Sequence, residues 1–162
     1  MAPTFRVVYK RVDDCEIFAD VYVPEIPPSQ QEKRPVGENA MSRIHKSKLK
    51  QAVLIIHGGA FCLGHSAMVS ADQVQDMLER GWVVVSLEHR LCPQVSIVDG
   101  PIADARSCLN WVLDGSLEKE LGEVEASSMF KVDYKRIVAV GTSSGGTLAL
   151  ALVSTNQRAA LL

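Results

Sequence analysis

Apolar residues recur along the chain in short blocks with two different spacings. Residues 4–9 and 16–23 partly alternate apolar and polar side chains, which is typical of half-buried antiparallel strands, and Asp13-Asp14 provides the turn between them. Three further runs are almost continuously apolar and predict strands buried on both faces. These runs are residues 51–57, 82–87 and 136–140.

Helical spacing appears between and after these buried strands. Residues 66–80 predict a helix that Gly81 ends as a C-terminal cap. Pro101 is predicted to open the next helix at the position where its missing N–H costs least. Residues 145–154 are apolar on nearly all sides, which predicts a buried helix.

The predicted order is two strands, a long loop, and then strands alternating with helices. This order predicts an α/β protein with a mostly parallel sheet and crossover helices on both faces. We expect a single domain over residues 1–162, with ligands bound beyond the carboxyl ends of the strands.

Residues 24–50 hold four prolines and then a basic cluster. They predict a long surface loop, and a solvated loop is favoured over a basic docking patch.

Charge and composition narrow the possible partners. Lys and Arg number 17 against 19 Asp and Glu, so a net charge of −2 gives no reason to expect nucleic acid or an anionic membrane. No apolar run is long enough to span a bilayer, and residues 1–10 do not resemble a signal peptide. A cytoplasmic protein is expected. Its oligomeric state stays open.

The cysteines do not indicate a metal site or a disulfide framework. Cys15, Cys62, Cys92 and Cys108 form no C-x-x-C pair and no repeated spacing. Small thiols that are buried or half-buried are the expected outcome. Nothing in the sequence implies a metal or an organic cofactor.

The first motif with chemical content runs from Gly141 to Gly146, between a predicted strand and a predicted helix. It reads Gly-Thr-Ser-Ser-Gly-Gly and matches G-x-S-x-G, in which the central serine, here Ser143, stands on a sharp turn. Gly141 and Gly145 leave room for two backbone segments to approach each other. A glycine-rich turn or an anion-binding nest is the alternative interpretation.

The second motif, His57-Gly58-Gly59-Ala60-Phe61, ends the first buried strand. It is a variant of the H-G-G-G loop whose backbone N–H groups bind an oxyanion. Small residues are needed there because a bulky side chain would block the approach of a carbonyl group. A plain glycine turn is the alternative.

Together the two motifs resemble the α/β-hydrolase fold, and within it the hormone-sensitive-lipase-like carboxylesterases. Residues 86–94, 101–111 and 132–137 resemble further segments of that group. The resemblance implies that Ser143 is the nucleophile and that Gly59, Ala60 and Ser144 are the oxyanion donors. It makes His57 a structural residue of the oxyanion loop. It also gives Arg90 and Asp104 a loop-bracing role, although an ordinary ion-paired arginine is an equal alternative for Arg90.

In this fold the acid and the histidine of the triad follow the serine. The nineteen residues after Ser143 contain no Asp, Glu or His, and all four histidines precede it. We therefore expect a serine hydrolase of carboxylic esters that forms an acyl-enzyme, is incomplete at the C-terminus and is inactive alone. A non-catalytic module that binds a small molecule or partner is the alternative, and a peptidase or thioesterase is a third possibility. With no strand expected beyond residues 136–140, an exposed apolar edge predicts marginal solubility.

Overall fold

A six-stranded mixed sheet forms the centre of the protein. The computed structural model describes residues 1–25, 49–124, 127, 128 and 130–153, and the backbone of residues 159–161. The strands are β1 (Phe5–Val12), β2 (Cys15–Tyr22), β3 (Leu49–Ile56), β4 (Val83–Leu87), β5 (Lys131–Gly141) and β6 (Ala159–Leu161). Their order in the sheet is β1-β2-β4-β3-β5-β6.

Three of the four parallel strands are those that the buried apolar runs predicted. β4, β3, β5 and β6 run parallel, while β1 and β2 form an antiparallel hairpin that joins the sheet through β2 and β4. Asp13 adopts a φ of 50° in the hairpin turn. The predicted fold class is confirmed. Residues 26–48, which make up most of the predicted 24–50 loop, lie outside the described residues, and β3 already begins at Leu49.

In the part of the chain that the structure describes, four α-helices connect or follow the strands. They are α1 (Ala71–Glu79), α2 (Ala103–Leu113), α3 (Ser116–Glu123) and α4 (Ser144–Val153). A separate 3-10 turn at Ser66–Met68 precedes α1, so residues 66–80 are not one continuous helix. Ser70 caps α1, because its side chain accepts a hydrogen bond from the Gln73 N–H.

The sequence predicted that Pro101 would open a helix, and this prediction is wrong. It lies within a π-helical turn at Val98–Ile102, which leads directly into α2. The chain therefore becomes helical three residues before the proline.

Helices cover both faces of the sheet. On one face, α2, α3 and α4 pack against alternate residues of the central strands, such as Leu54, Val85 and Ile137. On the other face, α1 packs against the residues between them, such as Val53 and Val84. Parallel strands buried on both faces explain why their sequences are continuously apolar.

Two elements differ from the sequence prediction. Helix α3 was not expected, because only Leu117 and Leu121 of its eight residues are apolar and buried. The expectation that no strand follows on the far side of β5 is wrong, since β6 pairs in parallel with Ile137–Ala139. Part of the edge that we expected to be exposed is therefore hydrogen-bonded.

No helix in the described ranges is long and apolar enough to cross a membrane.

Candidate active site

Ser143 lies in the tight turn between β5 and α4, at the carboxyl end of the parallel strands. It is exposed and has a φ of 54°, a left-handed conformation that costs a non-glycine residue about 1–3 kcal/mol. The turn is fixed by backbone hydrogen bonds, with the Gly145 N–H donating to Thr142 O at 2.9 Å and the Gly146 N–H donating to Ser143 O at 2.9 Å. The strained turn that the G-x-S-x-G motif predicts is present.

The two outer glycines of the motif stand where no side chain fits. A Cβ atom on Gly141 would overlap with the Gly145 backbone and lie 2.7 Å from the Gly146 nitrogen. A Cβ atom on Gly145 would overlap with the Ile56 carbonyl and lie 2.5 Å from the His57 oxygen. The start of α4 is therefore packed directly against the end of β3, and this contact joins the serine turn to the loop that follows β3.

That loop passes beside Ser143. A Cβ atom on Gly58 would lie 2.8 Å from the Thr142 oxygen and 3.4 Å from the Ser143 Cβ atom. Three consecutive residues then have positive φ angles, namely Gly59 (129°), Ala60 (52°) and Phe61 (62°). Successive left-handed residues curve the main chain, and such curvature can gather N–H groups into an anion-binding concavity.

Backbone contacts hold the loop in this curved shape. The Cys62 and Leu63 N–H groups both donate to Gly59 O, at 2.9 and 3.1 Å. The Cys92 N–H donates to Phe61 O at 2.8 Å, which ties the loop to the segment after β4. A side chain at Gly64 would overlap with the His57 ring, so the loop closes onto that ring.

His57 is buried and faces the loop backbone. Its Nδ1 atom lies 2.8 Å from Gly58 O, and its Nε2 atom is buried with no hydrogen-bond partner among the described residues. No hydrogen bond found in the described part of the chain joins Ser143 to a histidine. This geometry fits the structural role predicted for His57.

The predicted bracing pair is present and includes a third member that sequence reasoning missed. The Asp104 side chain is fully buried and accepts hydrogen bonds from the Arg90 backbone N–H (2.9 Å), Arg90 Nε (3.0 Å) and Arg90 Nη2 (2.9 Å). Lys10 Nζ of β1 lies 2.6 Å from the same carboxylate. Burial by itself would raise the pKa of Asp104, but the hydrogen bonds from Arg90 and Lys10 outweigh it and lower that pKa.

A second polar network, also unexpected from the sequence, joins the β1–β2 hairpin to the segment after β4. Arg6 of β1 donates to Asp20 at 2.8 Å and to Glu88 at 2.6 Å. The Tyr9 hydroxyl donates to Glu88 O at 2.6 Å. The β1–β2 hairpin therefore fixes the segment that carries Glu88 and Arg90.

The remaining predicted site residues lie in the same region. Ser144, whose backbone N–H is a predicted oxyanion donor, is buried, and its hydroxyl has no partner among the described residues. Ser144 directly follows Ser143, and Gly59 and Ala60 belong to the loop whose Gly58 approaches the Ser143 turn. Their role as oxyanion donors stays a prediction. Among the described residues, no group of three or more His, Cys, Asp or Glu side chains is placed to hold a metal ion.

Comparison with known proteins relates the chain to hydrolases. The family model described as BD-FAE matches residues 41–161. The esterase Est2 of Thermogutta terrifontis with propionate bound superposes with a TM-score of 0.62 and 25% identity, covering 90% of this chain and 43% of that chain. The butyrate-bound form of Est2 gives the same TM-score and identity, and 42% of its chain is covered.

Curated relatives are much longer proteins. The non-reducing polyketide synthase ascC of Acremonium egyptiacum is 35% identical over 155 residues, which cover 96% of this chain and 6% of that protein. The non-reducing polyketide synthase prhL of Penicillium brasilianum is 36% identical over 149 residues, or 92% of this chain and 5% of that protein. The chain therefore spans only a small part of the curated relatives that it matches.

Proposed function

Since the chain belongs to the BD-FAE family of α/β-hydrolase domains, we propose that it carries the nucleophile and the oxyanion loop of a serine hydrolase that cleaves carboxylic esters. The observation that carries this proposal is the exposed, left-handed Ser143 beside the Gly58–Phe61 loop. A nucleophile on a strained turn next to curved backbone amides is the arrangement that acyl transfer requires.

The proposed chemistry uses two groups that this chain contains. The Ser143 oxygen attacks the ester carbonyl carbon as its proton passes to a base. Collapse of the tetrahedral intermediate then breaks the ester C–O bond, the alcohol leaves with that proton, and the acyl-enzyme remains. The N–H groups of Gly59, Ala60 and Ser144 hold the negative oxygen of the tetrahedral intermediate. Loss of one such donor typically costs about 10²–10³ in kcat. Water then attacks the acyl-enzyme and releases the acid.

Both acyl transfers also need a base, because a free serine hydroxyl is a poor nucleophile near neutral pH. We propose that the acid and the histidine come from polypeptide outside these 162 residues. Two observations support this: no Asp, Glu or His follows Ser143 in this sequence, and the His57 Nδ1 atom is engaged with Gly58 O.

We expect the 162-residue chain to hydrolyse p-nitrophenyl butyrate no faster than its Ser143→Ala variant. A longer polypeptide, translated from the same coding sequence past Leu162, should gain a rate at least about 10⁴-fold above that of its own Ser143→Ala variant, since disabling one triad member lowers kcat by about 10⁴. Ser107→Ala is the matched control, because the bond that its hydroxyl donates among the described residues is to Ala103 O within α2. A clear Ser143-dependent rate in the 162-residue chain would contradict the missing-base argument.

Oxyanion binding can be tested without any base. The Est2 structures contain propionate or butyrate, so butyrate is a suitable probe of the loop. We expect saturable butyrate-dependent shifts in the NMR amide signals of Gly59, Ala60 and Ser144. Signals of Gly122 in α3 should stay unchanged. If the loop amides do not respond while the fold is intact, the proposed oxyanion site is wrong.

The alternative function is a module that binds a small molecule without turnover. The absence of a hydrogen-bonded base at Ser143 in the described residues favours it. Saturable butyrate binding together with a stop codon directly after Leu162 would support this alternative over the esterase.

A Ser143-dependent rate only with thioester substrates would instead indicate a thioesterase, since the same serine turn serves several acyl leaving groups.

A further inference from the structure

Two buried histidines stack on each other beneath the oxyanion loop. His57 follows β3 and His89 follows β4, and these strands are parallel neighbours in which Ile56 pairs with Leu87. The ring centroids are 4.4 Å apart with an interplanar angle of 14°. The two residues are only 3% and 6% exposed, so the stack is closed to solvent.

The hydrogen bonds of the two rings define one protonation state. His57 Nδ1 faces Gly58 O at 2.8 Å, and His89 Nδ1 faces Arg90 O at 3.0 Å. A carbonyl oxygen only accepts, so each Nδ1 atom must donate. Neither Nε2 atom has a partner among the described residues, and both are buried. The neutral tautomer with hydrogen on Nδ1 therefore leaves no donor unpaired in either ring.

We propose that His89 is a positioning residue for the oxyanion loop, which it holds in place by stacking, as a neutral ring, on His57. The loop backbone also contacts the His57 ring directly: Gly58 O accepts a hydrogen bond from Nδ1, and Gly64 lies so close that a side chain there would overlap with the ring. Displacing the His57 ring would therefore move the amides beside Ser143. This inference rests on the proposed function, because only that function makes the loop an oxyanion site.

Protonation is the event that would disrupt the stack. Two imidazolium rings at this separation would repel each other, and their Nε2–H groups would be buried without acceptors. Among the described residues, the ionisable groups around His89 are His57 after β3, Asp104 from α2, and Glu88 and Arg90 from its own segment. Tyr9 of β1 donates to the adjacent Glu88 O. Both carboxylates are already paired with cations, Asp104 with Arg90 and Lys10, and Glu88 with Arg6. Burial lowers the pKa of His89, and the neighbouring His57 adds to that effect.

The direction of the pH effect follows from this lowered pKa. The unfolded chain takes up a proton on His89 near its ordinary pKa of about 6.5, before the folded chain does. The stabilising contribution of the neutral ring is therefore fully present above about pH 6.5. It is lost as the pH falls from there towards the lowered pKa of the folded state.

The first test is histidine NMR on the intact chain at neutral to mildly acidic pH. Long-range ¹H–¹⁵N spectra should show hydrogen on Nδ1 and a bare Nε2 for His57 and His89. The amide signals of Gly58 and Gly64 should change together with the protonation of His89. If either ring carries hydrogen on Nε2 at neutral pH, or if the glycine signals do not follow His89, the proposal is wrong.

The second test uses His89→Phe, which keeps a stacking ring but cannot be protonated. Between about pH 8 and pH 5.5 we expect the Tm of the original chain to fall by about 3 °C or more, and that of His89→Phe to fall clearly less. His65→Phe, which changes an exposed histidine, should behave like the original chain. Equal pH dependence in all three proteins would overturn the proposal. Neither test involves ester hydrolysis, so a failure here is distinct from a failure of the proposed function.

Discussion

Gly145→Ala is expected to abolish cooperative folding of the chain, or to destabilise it by about 3 kcal/mol or more. The added Cβ atom would overlap with the Ile56 carbonyl and lie 2.5 Å from the His57 oxygen. Both obstacles are main-chain atoms at the end of a buried strand, so they cannot move aside as a flexible side chain would. Urea denaturation followed by far-UV circular dichroism would measure the loss.

Gly122→Ala is the matched control, because it adds the same methyl group to another helix. Nothing lies within 4 Å of a Cβ atom at Gly122 in α3. Alanine within a helix is favoured over glycine by about 0.5–1 kcal/mol, so this variant should be slightly more stable. A Gly145→Ala variant as stable as Gly122→Ala would mean that α4 does not pack on β3 as described.

Asp104→Asn is expected to destabilise the chain by about 3–5 kcal/mol, the usual cost of removing one partner from a buried ion pair. The substitution keeps the shape of the side chain but removes its charge. Lys10 and Arg90, whose side chains are 19% and 22% exposed, would then face each other without a carboxylate. The measurement is the free energy of unfolding from urea titration near neutral pH.

The pH dependence of this contribution separates it from that of His89. The pKa of Asp104 is lowered in the folded chain, so its stabilisation is present above the ordinary carboxyl pKa of about 3.9. It is lost only as the pH falls below that value towards the lowered pKa. The difference in stability between the original chain and Asp104→Asn should therefore be constant from about pH 5 to pH 8.

Asp76→Asn provides the comparison for an exposed pair. Asp76 and Arg80 form an i,i+4 ion pair on α1 whose side chains are 50% and 61% exposed. Exposed pairs of this kind contribute little, since water and salt screen them. The substitution should leave the urea midpoint unchanged. An effect as large as that of Asp104→Asn would show that burial does not decide the strength of these pairs.

The central strands and the serine turn could be predicted because each is encoded locally. A strand buried on both faces must be continuously apolar, as residues 52–56 and 83–85 are. Likewise, the spacing of Gly141, Ser143 and Gly145 reflects the close contacts of a single turn. Helix α3 was missed because much of what fixes it is distant in sequence: Glu118 accepts hydrogen bonds from Lys131 and from the Val132 N–H.

The polar networks beside the site could not be predicted for the same reason. Lys10 reaches Asp104, and Arg6 reaches Glu88, only because the β1–β2 hairpin is placed beside β4. That placement depends on strand register, which places Asp20 opposite Ser86. A search for motifs along the chain treats Lys10 and Asp104 as unrelated charges. Such pairs arise from tertiary packing and cannot be inferred from the spacing of residues in the sequence.

Because the curvature at Gly59, Ala60 and Phe61 is a property of the peptide backbone, truncating the side chains of Ala60 and Phe61 would scarcely reveal what this stretch does. Alanine at Gly59 would reveal it, since the added Cβ atom would overlap with the Leu63 carbonyl. Ala60 already is alanine, and glycine would adopt the same left-handed angles with less strain. At Ala60 and Phe61, residues that resist positive φ, such as valine or proline, would straighten the path. A scan designed around lost functional groups would therefore pass over the stretch of chain on which the proposed oxyanion binding depends.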